Sequence, residues 1–172
     1  MKRPDLANEL KERMERDQTA RHRMLESRLP EDSEAVQAID VDNTAWLRTV
    51  VSAHGWPGVD LAGEEGADAA WLITQHADHD TQFQRRALEL LTHAALAGDV
   101  PARHFALLTD RVRVADGRPQ VYGTQYDQDG AGNVVGPYLV EDPERLDERR
   151  MALGLEPQDV YDRQLRAVHE RN

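Results

Sequence analysis

A histidine and two aspartates lie close together in one segment of the chain, in the order His76, Asp78 and Asp80. A carboxylate beside a histidine orients the imidazole and raises its basicity, so the pair can exchange protons near neutral pH. If the segment is one continuous helix, His76 and Asp80 are one turn apart and can pair in this way. A histidine on an apolar helix face is also often a core residue whose hydrogen bonds are satisfied. We predict a catalytic pair formed by His76 with Asp80.

The same segment has a metal-binding alternative. His76 and His79 stand three residues apart beside carboxylates, a spacing that can bind zinc, iron or manganese. No second histidine pair at matching spacing follows in the sequence. We predict no cofactor, and a divalent metal is the alternative.

Polar side chains also interrupt the apolar stripes of three predicted helices. At about 100° per residue, Asp17 and Arg21 fall inside the apolar arc of the first helix and Gln18 lies at its edge. Asn43 falls near the centre of the arc of the second helix, and His76 interrupts the third. Buried polar groups cost free energy unless they are satisfied, so these residues line one pocket or form one packing network. We favour the pocket, against a surface ion pair between Asp17 and Arg21 and an Asn43 amide that caps a neighbouring chain end.

The spacing of apolar residues predicts the helices that position these groups. The chain reads as mainly α, with six or seven helices around one core, in a single helical domain over residues 1–172. Pro30 is expected to break the first helix and the glycine-rich stretch 55–66 to form a loop. The predicted helices cover residues 4–29, 33–55, 67–97 with a potential break at 78–81, a segment opening at Pro101, 141–151 and 157–170.

A β-hairpin is predicted in the C-terminal third, at about residues 118–140. Its turn is the glycine-rich stretch from Asp129 to Asn133. If residues 120–126 are a strand, Gln120, Tyr122 and Thr124 point to one side of it, where they can cover the helical pocket. The alternative is an exposed edge hairpin with polar decoration.

Composition excludes several classes of function. Thirty-two acidic against twenty-one basic residues give a net charge of −11, which disfavours binding to nucleic acid. The chain has no cysteine, which excludes thiol catalysis and disulfides. It has neither a glycine-rich phosphate loop after a strand nor a nucleophile elbow. With no signal-peptide pattern and no apolar run of membrane-spanning length, we expect no membrane partner and a cytoplasmic protein.

Several short motifs follow one another along most of the chain. They are Asp17-Gln18-x-x-Arg21, Asp42-Asn43, Gly55-Trp56-Pro57, Gln75-His76-Ala77-Asp78, Asp110-Arg111, Gln120-x-Tyr122-Gly123-Thr124-Gln125 and the stretch from Arg149-Arg150 to Gly154-Leu155. In their order and number these motifs resemble the bacterial family known as domain of unknown function 6624. The resemblance adds Asp110, Arg111 and Gln125 to the candidate site and favours Asp78 over Asp80 as its carboxylate, but it implies no mechanism.

The candidate residues favour an enzyme that acts on a small polar metabolite by acid–base or hydrolytic chemistry, as a hydrolase or a lyase. His76 would be the general base, and arginine and amide groups would hold anionic or amide groups of the substrate. The alternative is a non-catalytic interaction protein whose polar network is structural. The predicted ligand-binding residues are Asp17, Gln18, Arg21, Asn43, Asp110, Arg111, Gln120, Tyr122 and Gln125.

Overall fold

The structure, a computed structural model, describes residues 2–129 and 134–169 of the 172-residue chain. These residues form a mainly helical fold with one hairpin in the C-terminal third, which confirms the predicted fold class. The seven helices and two strands of the described residues are α1 (Pro4–Ser27), α2 (Pro30–His54), α3 (Val59–Gln75), α4 (Thr81–Leu96), α5 (Ala102–Ala115), β1 (Tyr126–Gln128), β2 (Val134–Pro137), α6 (Leu146–Ala152) and α7 (Gln158–His169).

The chain divides into two compact units, residues 1–100 and residues 101–172, here called the N-terminal unit and the C-terminal unit. The single domain expected from the sequence stays a prediction. None of the helices in the described part of the chain combines the length and the apolar character that crossing a bilayer needs.

The N-terminal unit is formed by helices α1 to α4, with α1 lying against both α2 and α3. Leu10 of α1 and Leu47 of α2 are fully buried, as their helical spacing predicts. On α3, a Cβ atom added at Gly66 would lie 3.5 Å from the Cα atom of Ala7, so the backbones of α1 and α3 approach closely. Close packing of this kind brings side chains of α1 within hydrogen-bond reach of the end of α3.

Two predicted boundaries in this unit are wrong. The first helix ends at Ser27, just before Pro30 as expected, but the second helix begins at Pro30 and not at Ser33, because the missing N–H of proline costs nothing at the first helical position. The stretch 55–66 is not a loop throughout, because α3 begins at Val59. A carboxylate from the end of α4 stabilises that start, since Asp99 Oδ1 accepts a hydrogen bond from the Asp60 N–H at 2.6 Å. Glycine at Gly58 leaves room for Asp99, which a Cβ there would meet at 2.1 Å.

The segment over residues 67–97 is two helices, which confirms the break that the sequence offers at 78–81. Helix α3 ends at Gln75, and Asp80 is the N-cap of α4, with its side chain accepting a hydrogen bond from the Phe83 N–H at 3.0 Å. The other Asp80 oxygen pairs with Arg48. The one-turn pairing of His76 with Asp80 is therefore wrong.

Replacing Asp80 by alanine should lower the free energy of unfolding of the N-terminal unit by about 1 kcal/mol, because the Phe83 N–H loses its cap. Loss of the half-exposed Arg48 partner adds little. His79→Ala, at an exposed position beside it, is the matched control and should change stability by less than about 0.5 kcal/mol. Tryptophan fluorescence during denaturation measures both variants, and equal losses would contradict the capping role. The three tryptophans of the chain all lie in the N-terminal unit, at Trp46, Trp56 and Trp71.

The C-terminal unit contains α5, the hairpin, α6 and α7. Strands β1 and β2 pair antiparallel, with Tyr126 opposite Pro137. The hairpin is shorter than predicted, since residues 120–125 form a loop, so the shared strand face of Gln120, Tyr122 and Thr124 is wrong. The predicted turn lies largely outside the described residues, at 130–133. The first closing helix begins later than predicted, after a short 3-10 turn at Pro143–Arg145.

Candidate functional site

Four polar side chains from three segments meet in the N-terminal unit, and we call them the His76 site. Helix α1 supplies Asp17 and Arg21, one turn apart on the same face, and α2 supplies Asp40. His76 is the residue that ends α3. Its place directly after the last helical turn directs the imidazole towards α1 rather than along its own helix.

The His76 imidazole is held by the Asp17 carboxylate. His76 Nδ1 lies 3.0 Å from Asp17 Oδ2 and 3.1 Å from Oδ1. The Asp17 side chain is 2% exposed, whereas the His76 side chain is 19% exposed. Gln18 Nε2 also donates a hydrogen bond to Asp17 Oδ2, at 2.8 Å. A buried carboxylate therefore fixes one side of a ring that still reaches solvent.

Arg21 connects the two carboxylates of the site. Its Nε lies 3.1 Å from Asp17 Oδ1, and its Nη2 donates to Asp40 Oδ1 at 2.5 Å. The same Nε lies 3.1 Å from His76 Nδ1. The Arg21 side chain is 25% exposed, so one guanidinium balances both partly buried carboxylates and remains open to solvent.

These distances favour one arrangement of protons. If His76 Nδ1 carries the hydrogen, it donates to Asp17 while Arg21 Nε donates to the same carboxylate, and the contact between Nε and Nδ1 is then one between two donors that share an acceptor. If Nδ1 is bare, it accepts from Arg21 but places a lone pair against the Asp17 carboxylate. The Nδ1–H tautomer is thus the better satisfied one, and it leaves the lone pair on Nε2. In the described part of the chain, His76 Nε2 makes no hydrogen bond.

The two carboxylates of the site have pKa values displaced in opposite directions. Burial acts to raise the pKa of Asp17, but hydrogen bonds from His76 and Gln18 and the charge of Arg21 outweigh it, so the pKa is lowered. Burial raises the pKa of Asp40, and the opposing hydrogen bond from Arg21 does not offset it. Divergent pKa values are typical of paired groups that hold different protonation states. Asp17 is the ionised carboxylate, and Asp40 is the one that more readily binds a proton.

Asp17, Asp40 and His76 also offer a donor set for a metal ion. One ligand atom from each lies within 4.8 Å of the others, and oxygen with imidazole donors suits a divalent transition metal. The Arg21 guanidinium contacts all three residues and already supplies the compensating positive charge. A cation at this position must therefore displace Arg21. The predicted partner His79 lies elsewhere, at an exposed position in the turn after α3.

The aspartates predicted to orient His76 have other partners. Asp78 is exposed and accepts a hydrogen bond from Gln84 Nε2 at 3.1 Å, and Asp80 caps α4. Both lie in the turn between α3 and α4. The continuous helix that would place Asp80 one turn from His76 is therefore absent. Asp17, 59 residues earlier, takes the orienting position instead. The predicted role of Asp78 and Asp80 beside His76 is wrong for this reason.

Asn43 lies on α2 one turn beyond Asp40 and is 2% exposed. Its Oδ1 accepts hydrogen bonds from Arg13 Nη1 at 3.1 Å and Arg16 Nη2 at 3.0 Å, both from α1. The same two arginines pair with Asp42. Asn43 therefore joins α1 to α2 beside the His76 site.

Asp40 was missed in the sequence although its spacing contains a signal. Val36, Asp40, Asn43 and Leu47 follow one another at helical intervals of four, three and four residues, and the two apolar members are buried. An acidic residue between buried positions on the same face as Asn43 is a site candidate. Only its pairing with Arg21 of another helix depends on the tertiary structure.

The remaining predicted residues lie in the C-terminal unit, around the loop formed by residues 120–125. Asp110 of α5 is fully buried, and its carboxylate accepts hydrogen bonds from the backbone N–H groups of Val121, Tyr122 and Thr124. The Thr124 hydroxyl donates to it as well, at 2.9 Å. Because a side chain takes these N–H groups, the segment forms no strand. Asp110 shapes the loop from within.

The other predicted residues complete the same loop. Gln120 is fully buried, and its side chain donates to the carbonyls of Gln125 and Tyr138 and accepts from the Gln125 N–H. Arg111 Nη1 donates to Gln125 Oε1 at 3.1 Å. The Tyr122 ring packs edge-on against Phe105, and burial raises its pKa. The loop is thus a compact structure held by its own Gln120 and by Asp110 and Arg111 of α5.

The fold and the site together define a mainly helical protein with a partly buried histidine–aspartate pair and an arginine beside it. By its sequence the chain belongs to a family of unknown function, DUF6624, whose family model matches residues 4–170. No match was found among curated proteins or among solved structures.

Proposed function

We propose that the N-terminal unit is a general acid–base catalyst acting on a small polar metabolite, with His76 Nε2 as the base. The observation that carries the proposal is the contact of His76 Nδ1 with the buried Asp17 carboxylate at 3.0 Å, on a ring that is 19% exposed. A carboxylate behind an imidazole fixes its tautomer and stabilises the imidazolium that forms when the base takes a proton.

In this mechanism His76 Nε2 accepts a proton from water or from an O–H or N–H group of the substrate. The negative charge of Asp17, whose pKa is lowered, stabilises the imidazolium. Asp40, whose pKa burial raises, is the second group that can hold a proton. Arg21, the cation of the site, is accessible enough to bind an anionic group of the substrate. A hydrolase or a lyase reaction fits these roles, and we propose that it takes place in a bacterial cytoplasm.

The test uses the His76→Asn variant of the full chain. The asparagine amide can replace Nδ1–H as the donor to Asp17, but it has no base at the position of Nε2. Purified protein is incubated with a bacterial metabolite extract, with and without EDTA, and consumed and formed compounds are followed by mass spectrometry. We expect at least one small polar metabolite to be converted by the wild type and its conversion to fall at least 100-fold in His76→Asn, the usual contribution of a general base.

His79→Asn is the matched control, because it removes an exposed histidine three residues away. It should convert the metabolite like the wild type. Equal conversion by the wild type and His76→Asn, or conversion by neither protein, would end the proposal. Loss of conversion on adding EDTA would indicate that a metal displaces Arg21 in the active form.

A second candidate is a structural network that only fixes helix packing. It is favoured by Asp17, which is 2% exposed and contacts His76, Arg21 and Gln18 in a fully satisfied arrangement. Under this alternative, His76→Asn lowers the denaturation midpoint seen by tryptophan fluorescence and changes no metabolite. Under the proposed function the midpoint stays near that of the wild type while conversion is lost.

A further inference from the structure

The C-terminal unit contains a cavity of about 640 Å³, separate from the residues of the His76 site. One part of its wall is apolar and is contributed by α5 and by the turn after α6, with Ala106, Leu107, Leu153 and Leu155. Arg150 and Tyr161 line another part. A volume of this size with mixed walls is typical of sites for small organic molecules.

Arg150 is the unusual residue in this wall, because it is a buried cation bound only to neutral groups. It is 2% exposed. Its Nε donates to the Glu156 carbonyl at 2.6 Å, and its Nη1 donates to the Tyr122 carbonyl at 2.5 Å and to Gln158 Oε1 at 2.9 Å. Among the described residues no carboxylate forms an ion pair with it, and its Nη2 makes no hydrogen bond.

Burying a guanidinium without a counter-ion costs free energy, because carbonyl dipoles and an aromatic ring compensate for the lost hydration less well than a carboxylate does. Burial lowers the pKa of Arg150 despite the more distant charges of Asp147 and Asp110. The Tyr161 ring lies 4.9 Å from the guanidinium carbon and covers it on one side. Buried charges in folded proteins are normally paired with an opposite charge. A buried Arg150 without such a partner therefore indicates that the cavity can accept an anion.

We propose that this cavity binds a small amphipathic anion, with its anionic head group at Arg150 and its apolar body against the leucines. Arg103, a second cation in the wall, adds to the positive potential. Glu156 is the one acidic residue among the lining residues that the structure describes, and it is exposed. A carboxylate or a phosphate head group can pair with a guanidinium. Because part of the wall is apolar, an anion with an apolar body should bind more tightly than an inorganic anion.

The experiment is a titration of the full chain with two probes of the same shape, 2-naphthoate and the neutral 2-naphthamide, followed by NMR. Naphthoate should bind saturably and about tenfold more tightly than naphthamide, which is the effect of one charge-assisted hydrogen bond. Inorganic phosphate should bind more weakly than naphthoate. Equal affinities of the two naphthalene probes, or the absence of saturable binding, would overturn the proposal.

Two variants localise the binding. Arg150→Met should abolish the preference for naphthoate, and Arg145→Met, an exposed arginine before α6, should leave it unchanged. Arg150 also holds the loop, so its replacement can unfold the unit. Leu107→Trp reduces the cavity volume and leaves Arg150 in the sequence, so it tests the site when Arg150→Met does not fold. Naphthoate binding that persists in Leu107→Trp would contradict the cavity as the site.

Discussion

Replacing Asp110 by alanine is expected to lower the stability of the C-terminal unit by about 4 kcal/mol, the largest loss we predict for a single substitution. The carboxylate is fully buried and accepts hydrogen bonds from three backbone N–H groups and one hydroxyl of the loop 120–125. Without it, the buried N–H and hydroxyl of Thr124 and the partly buried N–H groups of Val121 and Tyr122 lose their partner, and a fully buried donor without a partner costs about 1–3 kcal/mol. Asp110→Asn keeps one acceptor oxygen and should lie between alanine and wild type.

Amide hydrogen exchange measures this effect where it arises. The N–H groups of Val121, Tyr122 and Thr124 should exchange orders of magnitude faster in Asp110→Ala, since about 4 kcal/mol corresponds to roughly a thousandfold in an opening equilibrium. Asp116→Ala, which removes an exposed carboxylate at the end of α5, should leave their exchange unchanged. If Asp110→Ala kept these amides protected, the loop would be held by other contacts.

The helices that could be predicted from the sequence are those whose determinants are local. On α1, Leu6 and Leu10 stand four residues apart, and on α2, Leu47 and Val50 stand three residues apart. All four are buried, as their helical spacing predicts. The start of α3 could not be predicted in this way. It depends on Asp99, which follows α4 and reaches the N–H of Asp60 across 39 residues. A cap supplied from a distant part of the chain leaves no local pattern to read.

The candidate site shows the same division. Because Asp17 and Arg21 interrupt an apolar stripe, they could be singled out from spacing alone, and the structure places both in contact with His76. The partner of the imidazole could not be predicted. Asp80 stands at the right interval for a continuous helix, but its own capping of α4 interrupts that helix. Aspartate has a high preference for the N-cap position, and Asp80 caps α4 and does not pair with His76.

In the C-terminal unit, the run of hydrogen-bonding residues at 120–125 predicts a strand but forms a loop. Alternation along Gln120, Tyr122 and Thr124 is typical of strands, but between the isolated bridge of Gln120 with Val140 and strand β1 the N–H groups of Tyr122 and Thr124 bond to the Asp110 side chain. Gly123, with φ of +66°, interrupts any extended run, and a Cβ there would lie 2.6 Å from Gln158 Oε1. The buried partners Asp110 and Arg150 determine this loop, and neither is adjacent to it in sequence.

The two carboxylates of the His76 site should respond very differently to the same substitution at pH 7. Asp17→Asn is expected to lower the free energy of unfolding by on the order of 3 kcal/mol, because the new amide N–H₂ opposes either His76 Nδ1–H or Arg21 Nε–H in a buried position. Asp40→Asn should cost less than about 1 kcal/mol, since an amide oxygen can still accept from Arg21 and no buried charge is left unpaired. Tryptophan fluorescence during urea denaturation measures both.

The stability difference between the wild type and each variant should depend on pH, with opposite signs for Asp17→Asn and Asp40→Asn. The pKa of Asp17 is lowered in the folded protein from its ordinary 3.8, so its stabilising contribution is complete above that value and is lost as pH falls through the folded pKa. The pKa of Asp40 is raised, so its contribution is complete below 3.8 and is lost as pH rises through the folded pKa. As pH falls, the free energy of unfolding of the wild type should therefore decrease relative to that of Asp17→Asn and increase relative to that of Asp40→Asn.

Denaturation midpoints at pH 7, 5, 4 and 3 test this pair of signs. The gap between the wild type and Asp17→Asn should narrow only below about pH 4, whereas the gap to Asp40→Asn should widen in favour of the wild type as pH falls towards 4. Two aspartates on an exposed surface would give equal, small and parallel effects. Parallel curves would mean that Asp17 is not held ionised by His76 and Arg21, and the acid–base role of the site would lose its physical basis.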